Sequence, residues 1–414
     1  MHEKLKKIAA RTKIIHIVRL PEILRVFLKD EAIGGKLILA AAILALLIAN
    51  SPLAWVYNEF WEKHLSIGVN NLVVDLNLRH WVSEGLMALF FLVVGLEIKR
   101  EAVKGQLRHF KSALLPISAA IGGMIVPAAI FIMININNPA NLDGWAIPIA
   151  TDIAFALAVI SLLGNRVSSS LKVFLLTLSI VDDIGAILII GLFYGDGFTV
   201  PALAAAAVIG ATLFFLRFHK FMTPAIFGLI GLGFWLAVYY SGIHASIAGA
   251  FLGFLAPITS KVNNYSTAEK LERLVLPFST FVVVPLFAFA NLGVKLTLDS
   301  VQAPGSSYLI WGIILGLVLG KVIGISLASW ILVKLNLAKL PENSNWMQVI
   351  GVGFIAGIGF TVSVFIADLA FVGQPLLEDA AKIAILIGST LSAIFGYLFL
   401  RHRKRIKQVL DTEI

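Results

Sequence analysis

Apolar runs of bilayer length recur along the whole chain, at about 33–55, 81–98, 112–135, 145–164, 171–194, 200–217, 222–240, 243–258, 274–293, 308–333, 347–371 and 380–400. In hydrocarbon every backbone polar group must find its partner inside the protein, so runs of this kind fold as helices. The expected fold is all-α and polytopic, with twelve transmembrane helices. Hydrophobic residues make up 59% of the 414 residues and charged residues 14%, against about 25% charged in a soluble chain. That balance leaves no room for a large domain outside the membrane. The domain reading is a basic amphipathic lead-in at 1–30, one twelve-span domain at 31–402, and a tail at 403–414.

The net charge of +9 sits between the apolar runs and not on one face. This is the pattern of membrane topology, and it argues against nucleic acid as a partner. An even number of spans puts both termini on one side. The amino-terminal segment carries Lys4, Lys6, Lys7, Arg11, Lys13, Arg19, Arg25 and Lys29; the second-to-third connection and the carboxyl tail carry five basic residues each. The alternate connections hold only Lys63, Arg79 and Lys295. Both termini are therefore expected to be cytoplasmic. The lead-in is too long and too charged for a cleaved signal peptide. With no cysteine, disulfides and thiolate metal sites are excluded.

Against this apolar background a few charges stand out. Asp182 and Asp183 lie ten and eleven residues beyond Lys172 in the run 171–194, roughly 15 Å deep at 1.5 Å per residue. A charge at that depth costs at least about 2.5–3.5 kcal/mol, so an adjacent pair marks a functional centre. Lys321 lies equally deep in the tenth run. Span four carries Pro148, Thr151 and Asp152, and span eleven carries Gly357-Ile358-Gly359-Phe360-Thr361. Both spans are expected to be interrupted, and a break must line protein or a wet cavity. Neighbouring helical residues point about 100° apart. One of Asp182 and Asp183 can thus pair with Lys321 while the other faces a cavity beside Asp152 and Thr151.

Such a cavity offers carboxylate, hydroxyl and carbonyl oxygens, the ligands of hard cations. A proton and a cation would compete for one carboxylate, and access from alternate sides would exchange one for the other. Glu97 and Glu101, one turn apart at the cytoplasmic end of span two, read as interfacial charges on residue type alone. His244, near the external end of span eight, reads as structural. The external segment 64–80, with alternation over Val69–Leu78, fits a small β-hairpin and equally an irregular loop lying on the membrane surface. An isolated hairpin is marginal in water, which points to pairing with a second copy.

Several stretches carry a family resemblance. Ala150-Thr151-Asp152-Ile153-Ala154-Phe155-Ala156, Val181-Asp182-Asp183, Gly95-Leu96-Glu97, Gly320-Lys321 and the Gly357–Thr361 motif closely resemble the bacterial sodium/proton antiporter family called NhaA. The resemblance extends to Ala120–Pro127 and Pro285–Asn291, and runs from about residue 30 to 400. It implies inverted repeats with two crossing discontinuous helices, spans four and eleven, broken at Gly357 and Gly359 in the latter. It implies that Asp183 is the principal Na⁺/Li⁺ ligand and proton carrier, with Asp152 as a second cation ligand. Asp182 would pair with Lys321, and Thr151 would lie with Asp152 at the crossing. Glu97, Glu101 and Glu272 would form a pH sensor. Arg273 and Leu276 depart from the best-known members of the family, which carry histidines there, so the activation range is expected to shift.

The implied activity is electrogenic, pH-regulated exchange of cytoplasmic Na⁺ or Li⁺ for external H⁺, serving sodium extrusion and pH homeostasis. The implied setting is the bacterial inner membrane, as a homodimer joined through the 64–80 hairpin. No cofactor is expected; the ions are cargo. Two other classes fit less well. An intramembrane aspartyl protease needs its aspartates on separate spans, one in a Gly-x-Gly-Asp context. A passive channel needs a ring of repeated ligands.

Overall fold

In a computed structural model of the chain, the described residues are 22–401 apart from 71, 196, 218, 220–221 and 259–265. Most of the basic lead-in and the whole 403–414 tail lie outside the described residues. The chain runs as α1 (Glu22–Ala49), α2 (Ala54–Glu62), β1 (His64–Val69), β2 (Leu72–Asn77), α3 (Leu78–Lys104), α4 (Phe110–Asn135), α5 (Pro139–Ile149), α6 (Ile153–Leu163), α7 (Ser169–Phe193), α8 (Val200–Leu216), α9 (Pro224–Tyr240), α10 (Ala245–Leu255), α11 (Thr267–Asn291), α12 (Ser306–Lys334), α13 (Trp346–Ala356), α14 (Phe360–Ala370) and α15 (Pro375–Arg401).

Among the described residues, α3, α4, α7, α11, α12 and α15 are long and apolar enough to cross a membrane. Three further pairs pass the same test together but are bent at a short break: α1 with α2 by 112°, α5 with α6 by 46°, and α13 with α14 by 45°. The first bend corrects the first apolar run. It does not continue to residue 55: α1 ends at Ala49, and the Ser51-Pro52 turn redirects the chain before α2. Proline cannot continue the helix, and the Asn50 side chain donates 2.8 Å bonds to the Leu46 and Val294 carbonyls.

The hairpin is wider than its alternating stretch suggests. β1 and β2 pair antiparallel from His64↔Asn77 to Val69↔Leu72. Asn70 takes the left-handed conformation, φ 54°, at the turn, which asparagine tolerates better than most residues.

Helices meet closely where glycine permits it. α10 lies against α3 with Gly249 and Gly253 facing the α3 backbone and Gly95 facing the Ala250 carbonyl. A Cβ at any of the three would overlap main-chain atoms. The two ends of α10 are held by α3 side chains. Glu84 accepts a 3.1 Å bond from the Ser246 amide, and Lys99 donates to the Phe254 and Ala256 carbonyls. This matches the positive and negative poles of the helix. α4 and α12 cross at Gly122 and Gly324, each facing the other's carbonyl, and Gly123 leaves space for the Ile325 side chain, with the Lys321 stem beside it.

Candidate functional site

The site is built where α5/α6 meets α13/α14. Each break frees backbone groups, and the two segments satisfy one another. The Asp152 amide donates to the Ile358 carbonyl at 2.6 Å, and the Ser363 hydroxyl to the Ile147 carbonyl at 2.7 Å. Gly357 sits where a Cβ would run into the Leu317 carbonyl and the Ser392 hydroxyl. Gly359 is similarly pressed against Ser363, Leu317 and the Ala150 carbonyl.

Asp152 caps two helices at once. Its Oδ1 accepts a 3.1 Å bond from the Phe155 amide, making it the N-cap of α6. Its Oδ2 accepts from the Thr361 amide at 3.1 Å and the Thr361 hydroxyl at 2.6 Å, at the start of α14. One carboxylate thus meets the positive ends of two helices, where a negative charge is favourable.

The adjacent aspartates of α7 have different surroundings. Lys321 Nζ lies 2.6 Å from Asp182 Oδ2, and both side chains are fully enclosed. The Thr151 hydroxyl lies 2.7 Å from the same oxygen and 2.8 Å from the Ala356 carbonyl, and it accepts from Lys321 Nζ at 3.1 Å. Asp182 Oδ1 has no hydrogen-bond partner among the described residues. Asp183 points elsewhere, as neighbours on a helix must. It is 6% exposed, makes no hydrogen bond or ion pair among the described residues, and borders a cavity of about 60 Å³. Glu97, Thr151, Asp152 and Thr361 also line that cavity. This volume holds one or two water-sized occupants. Two carboxylates of this mostly apolar space, Asp183 and Glu97, make no hydrogen bond or ion pair among the described residues, and Asp182 beside Asp183 is tied to a lysine.

The three glutamates read as a sensor have separate surroundings. Glu97 is 7% exposed and belongs to the wall of the cavity. Glu272 pairs with Arg100. Glu101 accepts a 2.9 Å bond from the Gln106 amide. Leu276 lines the cavity as an apolar surface.

Two charged groups escaped the sequence reading. Lys382, 2% exposed, lies 2.7 Å from Asp368 and 2.6 Å from Glu378. The run from 380 looked like an ordinary span start; the Glu378–Lys382 spacing of four was the available signal. Glu84 faces His244 at 2.9 Å, and His244 Nε2 meets the Tyr194 carbonyl. Asp368, Glu378, Glu84 and His244 line a second cavity, of about 450 Å³, with Arg79 and Asn291. Among the described residues no group of three or more His, Cys, Asp or Glu side chains is placed to hold a metal ion.

Comparison with known proteins gives this geometry its setting. The family model for Na⁺/H⁺ antiporter 1 matches residues 25–400. The chain is 48% identical over 382 residues to the Na⁺/H⁺ antiporter NhaA of Proteus mirabilis, spanning 91% of this chain and 96% of that one. It is 46% identical over 383 residues to the protein of the same name from Shewanella pealeana, with 91% and 96% coverage. Over 385 residues it is 46% identical to that of an Escherichia coli strain, with 92% and 98% coverage. The matched span takes in every helix around the cavity. The chain belongs to the Na⁺/H⁺ antiporter 1 family, and it is a multi-pass membrane antiporter and not an enzyme.

Proposed function

We propose that the chain exchanges cytoplasmic Na⁺ or Li⁺ for external H⁺ at Asp183, electrogenically and under pH control. The observation that carries this reading is the unequal surroundings of two adjacent buried carboxylates. Asp182 is held by Lys321 and Thr151. Asp183 has no partner among the described residues and borders a small cavity that also holds the side chains of Thr151, Asp152 and Thr361. A buried carboxylate tolerates a proton or a cation and is costly with neither, so the two compete for it. In this division Lys321 compensates Asp182, Asp152 fixes the two helix ends beside the cation, and Thr151 joins the pair to the crossing. Asp152 reaches the cation only through lone pairs its three hydrogen bonds leave over. Gly357 and Gly359 keep the break open, and Glu97, Glu101 and Glu272 sense pH.

The architecture behind this is twelve spans in inverted repeats, with α5/α6 and α13/α14 as the discontinuous pair. The six long helices, the three bent pairs and the three shorter apolar helices α8, α9 and α10 support that reading. The basic residues near both ends support cytoplasmic termini in a bacterial inner membrane. A homodimer through the hairpin is favoured by its exposed apolar side chains: Leu65, Ile67 and Val73 are 44%, 54% and 42% exposed. The test is purified protein in vesicles carrying an internal pH dye. Addition of Na⁺ or Li⁺ should collapse a preset pH gradient, and K⁺ should not. A cation flux that leaves the gradient intact would point to a channel.

A further inference from the structure

One wall of the cavity comes from α11, through Ser279 and Thr280. α11 changes register at this point. The Val284 amide bonds to the Ser279 carbonyl, five residues back, and residues 279–283 form a π turn. Pro285 explains the change. Proline has no N–H, and its ring would press on the carbonyl four residues earlier; the wider turn relieves that pressure. The next bond in this register would serve the Thr280 carbonyl, but its donor position is Pro285. That carbonyl therefore lacks a helical donor inside the span.

The side chains of the same turn are also uncommitted. Ser279 is 2% exposed, yet its hydroxyl makes no hydrogen bond among the described residues, and neither does that of Thr280. The cavity's other hydroxyls are engaged: Thr151 with Asp182, Lys321 and Ala356, and Thr361 with Asp152. The Thr280 methyl fits against Gly34, where a Cβ would come within 2.5 Å of it, so the side chain has one seat. Uncommitted neutral oxygens thus share the cavity with the uncommitted carboxylate of Asp183.

A small hard cation needs several oxygen ligands once dehydrated, and one carboxylate cannot supply them. Neutral ligands add coordination without adding charge, so a proton can still displace the cation from Asp183. We propose that Ser279 and Thr280 are cation ligands that complete the site at Asp183 and set its preference between Na⁺ and Li⁺. This rests on Asp183 as the carrier. Li⁺, the smaller ion, is satisfied by fewer oxygens, so loss of these hydroxyls weakens Na⁺ more.

The experiment measures apparent KM and kcat for Na⁺ and for Li⁺ in proteoliposomes, with Ser279→Ala, Thr280→Val, the double variant, and Thr280→Ser as the hydroxyl-keeping control. The double variant should raise KM for Na⁺ on the order of tenfold, the equivalent of one lost interaction with a charge. The rise for Li⁺ should be smaller, kcat should hold, and Thr280→Ser, which keeps the hydroxyl but loses the methyl that seats it, should lie nearer the parent than Thr280→Val. Unchanged KM values for both ions, or a uniform fall in kcat with lowered thermal stability and an unchanged Na⁺/Li⁺ ratio, would overturn the assignment. Asp183→Asn, run beside them, separates the two ideas. If it abolishes exchange while the hydroxyl variants change nothing, the carrier stands and the ligands fall.

Discussion

Removing Lys321 from its enclosed pair with Asp182 has a cost that can be worked from the geometry. The Nζ–Oδ2 distance is 2.6 Å and neither side chain touches solvent. At an effective dielectric of about 20, such a separation gives an attraction of roughly 6 kcal/mol, much of it offset by the desolvation of both ions. Removing one partner leaves the other charge uncompensated, at about 3–5 kcal/mol. Asp182 would keep the Thr151 hydroxyl, but among the described residues its Oδ1 has no partner to take up the charge. Lys321→Ala also opens space beside Gly123, whereas Lys321→Met nearly fills it, so the difference between the two isolates the void. The assay is unfolding in mixed detergent micelles, followed through the protein's own tryptophans, for Lys321→Met, Asp182→Asn and the double variant. We expect each single change to destabilise by about 3 kcal/mol or more, and the double variant to recover a large part of the loss. Effects that add within about 0.5 kcal/mol would show that the two groups are uncoupled. Lys321 would then need another partner, and the division of labour between Asp182 and Asp183 would fail.

Other outcomes follow from the same geometry. Asp183→Asn should insert and fold but lose exchange, since an amide neither releases a proton nor neutralises Na⁺; pH-linked Na⁺ transport by the purified variant would contradict this. Gly357→Val should destabilise and inactivate together, because its side chain meets the Leu317 carbonyl; overpacking of this kind costs about 1–3 kcal/mol, and a thermal-melting series with Gly357→Ala checks it. Asp75 in the hairpin accepts from the Ser66 hydroxyl, and this bond, with the His64 contact second, holds its carboxyl below the usual value of 3.8. A depressed carboxylate stabilises above its unfolded value and loses that contribution as pH falls through the folded one. Amide exchange across 64–77 should therefore quicken only below the ordinary carboxylate range, and Asp75→Asn should remove the dependence. Finally, if more than one H⁺ crosses per Na⁺, clamping the membrane potential with valinomycin and K⁺ should change the exchange rate; insensitivity would mean electroneutral exchange.

What could be read from the sequence and what could not divide along physical lines. A charge inside an apolar run is expensive, so Asp182, Asp183 and Lys321 announced themselves by type and depth. Proline and paired glycines in the middle of a run marked the two breaks. The helical angle between Asp182 and Asp183 did not say which of them meets Lys321, because that depends on how α7 rotates against α12. Glu97 read as an interfacial charge on residue type alone; the fold places it in the cavity wall, opposite side chains of α6, α7 and α11 that lie far from it in sequence. The end of α1 was hidden because the apolar character persists past the turn at Ser51-Pro52. Nothing in the sequence singles out Ser279 and Thr280; the register change at Pro285 distinguishes them. Lys382 escaped because a lysine near a span end is commonly a snorkelling one.

The central claim is that Na⁺ and H⁺ compete for one carboxylate, Asp183. The most direct measurement is proton release on cation binding, with purified protein in weakly buffered detergent solution at alkaline pH. Adding Na⁺ or Li⁺ should acidify the solution in proportion to protein, with a half-saturating concentration that rises as pH is lowered, and Asp183→Asn should release nothing. Cation binding without proton release, or release undiminished in Asp183→Asn, would contradict the account.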